Sequence, residues 1–367
     1  MKILTVFGTR PEAVKIAPVI KELQKYPQEF DCKVCVSAQH RDMLDPFLKL
    51  FNIKPDHDLN IMKDKQSLEY ITSTVLSQIG YLIEQERPDL VLVQGDTTTS
   101  MAAAMGAFYQ HVRIGHIEAG LRTYDKLKPF PEEINRRIID DMSDLFFVHT
   151  AEARENLIKE GINPQSIEVT GNTVIDSLLD TASRSIDPQE LKGIPLAGRR
   201  VVLVTAHRRE NIGKPLENIC QALQIIADKY KDSVIVFPVH LNPKVREIIH
   251  RYFKNHPNIF CLEPLGYEAF VHVMKKSYLV MTDSGGLQEE APSLHKPVLV
   301  LRDVTERPEA LNAGATCLVG TDVQRIVDKA SLLMDNTETY QKMAQAINPY
   351  GDGRASRRIV ERLLKEI

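Results

Sequence analysis

The sequence has no surplus of either charge: 46 Lys and Arg stand against 49 Asp and Glu, a formal net charge of -3. That balance excludes the strongly basic character by which nucleic-acid binders are recognised, and no nucleic-acid partner is expected. Long apolar runs are also missing. No stretch is long enough to span a bilayer, and the apolar start Met1–Phe7 is too short for a secretory h-region and meets Gly8-Thr9-Arg10-Pro11 rather than a small-residue cleavage site. A cytoplasmic chain with no membrane partner is the resulting expectation. Cysteine is sparse: Cys32, Cys35, Cys220, Cys261 and Cys317 form an odd, scattered set that does not read as a disulfide framework. The C-x-x-C at 32 and 35 has no second pair to complete a zinc tetrad. It lies in a strand-like run, which points the two thiols to opposite faces. Structural thiols and no metal site are expected.

What is present is a folded α/β composition, with 43% hydrophobic and 26% charged residues over 367 positions, enough for two cores. Short β-branched runs recur at Ile3–Phe7, Lys33–Ser37, Leu90–Gln94, Ile114–Glu118, Leu145–His149, Val201–Ala206, Val234–Val239, Tyr278–Thr282 and Val298–Leu301. Each is followed by a turn and an amphipathic stretch, the pattern of parallel strands buried on both faces in doubly wound sheets. The pattern starts twice, at Lys2 and at Arg200, with a polar Pro- and Gly-containing segment at 187–198 between them. This predicts two Rossmann-like domains, residues 1–168 and 169–353. A last helix, 354–367, carries an apolar stripe (Ile359, Val360, Leu363, Leu364) that suits packing back on the first domain. Ligands of such folds bind beyond the C-terminal ends of the strands, here in a cleft shared by the two halves.

Chemistry-bearing residues fall at those strand ends. Gly8-Thr9-Arg10-Pro11-Glu12-Ala13-Val14-Lys15 follows a strand and opens a helix, so Arg10 and Lys15 suit an anion; a plain βα turn accounts for it equally well, and it lacks a Walker ending. Asp96, before three threonines, reads first as a helix cap. Glu118 ends an apolar strand between Gly115 and Gly120, where an unpaired acid is costly, so function is favoured over a salt bridge to Arg122. After Pro131, which suits the first helical position, Glu132 and Arg136 sit one turn apart; acids at a helix start with one ion pair explain them. His207, followed by Arg208 and Arg209, fits an anion-facing turn, and His240 repeats the arrangement one strand later. Thr282-Asp283-Ser284-Gly285-Gly286 is the strongest phosphate signal: the glycines admit close approach to backbone N–H groups at a helix start, worth roughly 0.3–1 kcal/mol from the dipole. Glu290 suits ribose hydroxyls, and Arg307 an anion.

Taken in order, Gly8–Ala13, Gly95–Thr98, His116–Arg122, Pro131–Arg136, Gly171–Thr173, Thr205–Asn211, Asp283–Gly286 and Thr305–Pro308 closely resemble the non-hydrolysing UDP-N-acetylglucosamine 2-epimerases over nearly the whole chain. The resemblance implies a GT-B-type fold and reversible conversion of UDP-N-acetylglucosamine to UDP-N-acetylmannosamine, without metal or nicotinamide cofactor, in a homodimer serving surface polysaccharide synthesis. It also implies roles. Asp96, Glu118 and Glu132 match the essential carboxylates, and His207 the catalytic histidine. Arg10, Lys15, Arg136, Ser284, Gly285, Gly286 and Arg307 would bind substrate, Leu265 and Phe270 would flank the uracil, and Glu290 would hold the ribose. Gln39, His40, Arg41, Arg208 and His240 are compatible with a second UDP-N-acetylglucosamine bound as activator, although Asp42 and Lys65 stand where the family more often has Gln and Arg.

The carbon-2 proton is not adjacent to a carbonyl, so expelling UDP from carbon 1 to give a 2-acetamidoglucal is the accessible route, with the leaving diphosphate stabilised by fixed donors. Three rivals share part of this pattern: an epimerase of a modified sugar such as a UDP-diacetamido-uronic acid, a GT-B glycosyltransferase, and a non-catalytic nucleotide-sugar sensor. The last two have no need of all three acids.

Overall fold

The computed structural model describes residues 1–254 and 256–367. The chain begins β1 (Lys2–Phe7), α1 (Arg10–Leu23), β2 (Asp31–Val36), α2 (Arg41–Leu50), β3 (His57–Asp58), α3 (Leu68–Glu86), β4 (Leu90–Gln94), α4 (Thr98–Tyr109), β5 (Arg113–Ala119), α5 (Glu132–Met142), β6 (Leu145–Val148), α6 (Ala151–Lys159), β7 (Ile167–Val169) and α7 (Thr173–Ser183). It continues β8 (Arg200–Thr205), α8 (Lys214–Lys229), β9 (Ser233–Pro238), α9 (Pro243–Phe253), β10 (Ile259–Leu262), α10 (Tyr267–Lys276), β11 (Ser277–Thr282), α11 (Gly285–Ser293), β12 (Val298–Val300), α12 (Pro308–Asn312), β13 (Thr316–Leu318), α13 (Val323–Asp335), α14 (Thr337–Ala344) and α15 (Ala355–Leu364). Among the described residues, no helix is long and apolar enough to cross a membrane.

The strands form two all-parallel sheets, a seven-stranded one in the order β3-β2-β1-β4-β5-β6-β7 and a six-stranded one in the order β10-β9-β8-β11-β12-β13. These are the two doubly wound α/β arrangements that the alternating pattern predicts. Strands such as β1 and β4 are mostly apolar because they are buried: Leu4, Val6, Val91 and Val93 are fully buried against residues of α3 and α4. In the second sheet alternate residues divide between two cores. Val202, Val204, Leu279 and Met281 face α8, α9 and α13. Val201, Leu203, Val236 and Val280 face a cluster that includes α10 and α11.

Two compact units result, Met1–Ser177 with Gly351–Ile367, and Leu178–Tyr350. Where the sequence pattern placed the division after residue 168, the contacts carry the first unit on to Ser177. The reason is local. β7 pairs with β6, and the Ser177 hydroxyl, on α7, donates to the Val14 carbonyl on α1 at 2.5 Å. The chain returns to the first unit through α15, which packs on α1. Its start is held by a side chain from another helix. The Asp176 carboxylate accepts from the backbone N–H groups of Ala355 (3.1 Å) and Ser356 (2.8 Å) and from the Ser356 hydroxyl (2.5 Å). Ile359, Val360 and Leu363 are then wholly buried, worth about 1.5–3 kcal/mol each in apolar burial.

Both sheets reverse direction of winding at one place. In the first, the chain leaves β1 toward β2 on one side and returns to β4 on the other. In the second, β8 and β11 flank the same kind of switch point. Loops diverge there, and a ligand finds room at the strand ends.

Candidate functional site

In the first unit the switch point brings together the loops after β1 and β4. The α1 start has a capping box, Thr9 with Glu12, and a proline in its first turn. Glu12 does more than cap. Its Oε2 accepts from the N–H groups of Gly8 (3.0 Å) and Thr9 (2.7 Å), while Oε1 accepts from the hydroxyls of Thr97 (2.7 Å) and Ser100 (2.8 Å) after β4. Burial pushes its carboxyl pKa up, against the pull of these hydrogen bonds. Glu12 thereby ties the loop carrying Arg10 to the loop carrying Asp96. Gly8 is required by proximity: a Cβ there would lie 2.0 Å from Ser37 Oγ.

Asp96 does not cap α4; Thr97 does, accepting from Ser100 N–H at 3.1 Å. Asp96 instead receives the Arg136 guanidinium through Nε (3.0 Å) and Nη2, and Asn135 donates to its carbonyl at 2.9 Å. Arg136 thus pairs with Asp96 and with buried Glu133 (3.3 Å), rather than serving Glu132 one turn away. Pro131 is the N-cap and Glu132, half-buried, is the first helical residue, one position later than the sequence suggested. Glu133 is fixed by the N–H groups of Thr123 and Tyr124, both at 3.0 Å.

Glu118 lies in a register shift of β5, between Ile117 and Ala119, with φ 74°. A non-glycine residue in the left-handed region costs of order 1–3 kcal/mol and persists only where its surroundings enforce it. Here Lys15 Nζ donates to Glu118 Oε2 at 2.5 Å, and Gln94 Nε2 donates to the same oxygen. The alternative partner, Arg122, is instead wholly buried between Asp140 (2.8 Å) and Glu160 (2.5 Å). Asp140 also meets His116 Nδ1 at 2.6 Å, and His116 Nε2 meets the Gly95 carbonyl at 2.8 Å. Burial would raise the Asp140 pKa, but His116 and Arg122 outweigh it and hold the carboxyl below its usual range. This chain, buried from the Arg122 side chain through Asp140 and His116, reaches the Gly95 carbonyl and fixes the backbone on which Asp96 stands.

Arg10, exposed, is the first residue of α1, with its guanidinium 5.9 Å from the Phe47 ring centroid. Gln39 accepts from Thr99 (3.0 Å) through its side chain. Exposed His40 caps α2, and Arg41 is bound to both carboxylate oxygens of Asp58 at 2.6 Å.

In the second unit, β11 ends on Thr282, and Ser284 is the N-cap of α11, so Gly285, Gly286 and Leu287 present the unpaired N–H groups of a helix start. The Glu290 carboxylate folds back toward Gly286, where an added Cβ would lie 3.3 Å from Oε1. Across the switch point, His207 follows β8 and stacks on His240, ring centroids 5.3 Å apart and planes 11° from parallel. Burial lowers the His207 pKa; Asp283 opposes that, and His240 and Arg208 reinforce it. Arg307 is paired with Glu289 and donates from Nη1 to the Glu306 carbonyl at 3.1 Å. Arg208 lies 3.9 Å from Glu306. Leu265 and Phe270 are partly buried on the second unit's core.

Each unit therefore offers polar groups at the switch point of a parallel sheet: cation-paired carboxylates in the first, an amide-rich helix start with a histidine pair in the second. Glu12, His116 and Asp283 stand inside the sequence motifs without a role of their own there, and Asp140 lies outside them. The available signal was an acid or histidine inside an apolar strand-end motif, where burial demands partners.

Two parallel doubly wound units of this kind define the GT-B-type fold class. The family model described as UDP-N-acetylglucosamine 2-epimerase matches residues 21–364. The UDP-N-acetylglucosamine 2-epimerase of Bacillus subtilis strain 168 is 51% identical over 364 residues, covering 99% of this chain and 95% of that protein. The Escherichia coli K12 protein of the same name is 49% identical over 370 residues, covering 99% and 98%. A crystal structure of UDP-GlcNAc 2-epimerase from Neisseria meningitidis, bound to UDP-GlcNAc, superposes with a TM-score of 0.88 at 50% identity, covering all of both chains. The chain belongs to the UDP-N-acetylglucosamine 2-epimerase family.

Proposed function

We propose that this chain reversibly inverts carbon 2 of UDP-N-acetylglucosamine, giving UDP-N-acetylmannosamine. The observation that carries the reading is the pair of strand-end carboxylates in the first unit, each matched to its own cation: Glu118 to Lys15 and Asp96 to Arg136. Such pairing gives each acid a fixed position and a compensating charge, and base and acid chemistry at one carbon needs two placed carboxyl groups.

The reaction proceeds in two halves. A carboxylate removes the carbon-2 proton, the electron pair forms the carbon 1–carbon 2 double bond, and the carbon 1–oxygen bond breaks to release UDP. The reverse addition places the UDP oxygen back on carbon 1, while a proton is delivered to the opposite face of carbon 2. Asp96, Glu118 and Glu132 supply the acid and base. Ser284, Gly285, Gly286, His207, Arg10, Lys15 and Arg307 stabilise the departing diphosphate. Arg136 holds Asp96, Glu290 binds the ribose, and Leu265 and Phe270 flank the uracil. A second UDP-N-acetylglucosamine acts as activator near Gln39, His40, Arg208 and His240. The enzyme works as a cytoplasmic homodimer and serves surface polysaccharide synthesis.

The test is incubation with UDP-N-acetylglucosamine in deuterated water. UDP-N-acetylmannosamine labelled at carbon 2 is expected, and a panel of UDP-sugars identifies a modified substrate if there is one. If neither epimer nor label forms at saturating substrate, the proposal fails. Asp96→Asn and Glu118→Gln should each still bind UDP and turn over about 10²–10⁴-fold more slowly, the range typical of losing an acid or base. Near-normal rates would remove those roles.

A further inference from the structure

The Asp283 carboxylate is wholly buried, and its two oxygens are unequally served. Oδ2 accepts from the backbone N–H groups of His207 (2.9 Å) and Arg208 (2.8 Å) and from Asn211 Nδ2 (3.0 Å). Asn211 has its other hydrogen on the Leu301 carbonyl, at 3.1 Å. Oδ1 is buried with no hydrogen-bond partner among the described residues, and the group that faces it is His207 Nδ1, at 3.5 Å. A buried carboxylate oxygen without a donor is costly, and a shift of a few tenths of an ångström in the imidazole supplies one. The same acid thus holds the His207 backbone through one oxygen and faces its side chain through the other.

We propose that Asp283 is the positioning residue for His207: its Oδ1 takes the Nδ1 hydrogen, which leaves Nε2 pointing away from the acid, and its charge stabilises the ring when it is protonated toward the leaving diphosphate. This rests on the function proposed above. The charged and titratable groups facing His207 are Asp283, His240 and Arg208, and of these only Asp283 favours the cationic ring. During elimination the carbon 1–oxygen electron pair leaves on the diphosphate oxygen, and Nε2–H of the cationic ring donates to that oxygen. When the oxygen adds back, the hydrogen stays on the ring, so no proton is gained or lost at His207.

The experiment compares wild type, Asp283→Asn, His207→Asn and the double variant. Asparagine keeps an acceptor for the two backbone N–H groups but turns an NH₂ toward Nδ1, so the ring is forced into the Nε2–H tautomer and loses its stabilising charge. The kcat of Asp283→Asn is expected to fall about 10²-fold, inside the range for losing a general acid. Because the acid favours the cationic ring, the alkaline limb of the kcat profile should move to lower pH. The double variant should be no slower than His207→Asn alone, since Asp283 acts through the histidine. Losses that multiply, with an unmoved limb, would show a merely structural acid and overturn the proposal.

A second measurement does not depend on turnover or on the folding of Asp283→Asn. Long-range ¹H–¹⁵N spectra of histidine-labelled wild type with UDP, assigned by the signals missing in His207→Asn, should show His207 in the Nδ1–H tautomer above its titration. An Nε2–H tautomer in the wild type sinks the proposal. An Nδ1–H tautomer in a protein that epimerises nothing sinks the proposed function alone.

Discussion

Replacing Glu12 tests whether the active loops of the first unit are held by one buried acid. Glu12→Ala removes the acceptor for two backbone N–H groups and two hydroxyls. The hydroxyls can turn elsewhere: Ser100 already donates to the Gln94 carbonyl at 2.7 Å. The N–H groups of Gly8 and Thr9 cannot, and each buried donor left unpaired costs about 1–3 kcal/mol. With some relief from water entering the space, we expect a loss of about 3 kcal/mol, which is about 6–12 °C in Tm for a unit of this size. Glu12→Gln keeps one oxygen for the two N–H groups and discards the cost of a buried charge, so it should lose less than about 1 kcal/mol at pH 7.

The pH dependence separates the two effects further. The folded pKa of Glu12 is raised above its ordinary value of about 4.5. Its contribution is therefore fully present below that ordinary value and is lost as pH rises through the folded value. Wild type should gain on Glu12→Gln as pH falls through the raised folded value toward about 4.5, because the variant has no proton to bind. Urea unfolding followed by circular dichroism at several pH values measures all of this. The reasoning is refuted if Glu12→Gln is as unstable as Glu12→Ala, or if wild type loses ground to Glu12→Gln on acidification.

Two further outcomes follow from contacts described above. Gly8→Ala should cost about 1–3 kcal/mol by overpacking, because the new methyl meets Ser37 Oγ at 2.0 Å and Thr99 Oγ1 at 2.9 Å. Adding Ser37→Ala should recover part of the lost Tm, and no recovery would mean that another contact is responsible. Asp176→Ala should cost about 2 kcal/mol by leaving two N–H groups at the start of α15 without their acceptor. Amide exchange should quicken across residues 355–364 while residues 200–300 are unchanged, and unaltered protection of α15 would refute the link.

The architecture was open to reading because its signals are local. Runs such as Leu90–Val93 and Val201–Val204 are apolar at every position since they are buried on both faces, and the turn after each announces itself in glycine, hydroxyls and charge. Doubly wound topology follows from that alternation alone. The electrostatics of the site were less legible, because helix-spacing rules concern neighbours three or four residues apart. By those rules Arg136 belongs to Glu132, but the fold brings Asp96, forty positions earlier, to its guanidinium. Arg122 likewise leaves nearby Glu118 for Asp140 and Glu160. Asp283 was visible only as part of a phosphate motif, and its bond to the loop after β8 needs a strand pairing that no local window contains. The end of the first unit is set in the same way: Ser177 is joined to it by a contact with Val14 that lies far away in sequence.

The return of α15 to the first unit has a consequence for synthesis. Domains emerging from the ribosome fold as units in order of emergence. Here the first unit, with Asp96, Glu118 and Glu132, lacks one of its helices until all of Leu178–Tyr350 has been made. Until then Asp176 has no amides to bind, and the face of α1 that receives Ile359 and Leu363 stays wet. The second unit, whose residues are contiguous from Leu178 to Tyr350, is therefore ready first. The setting of the first unit's carboxylates is therefore completed only after the whole second unit has been made.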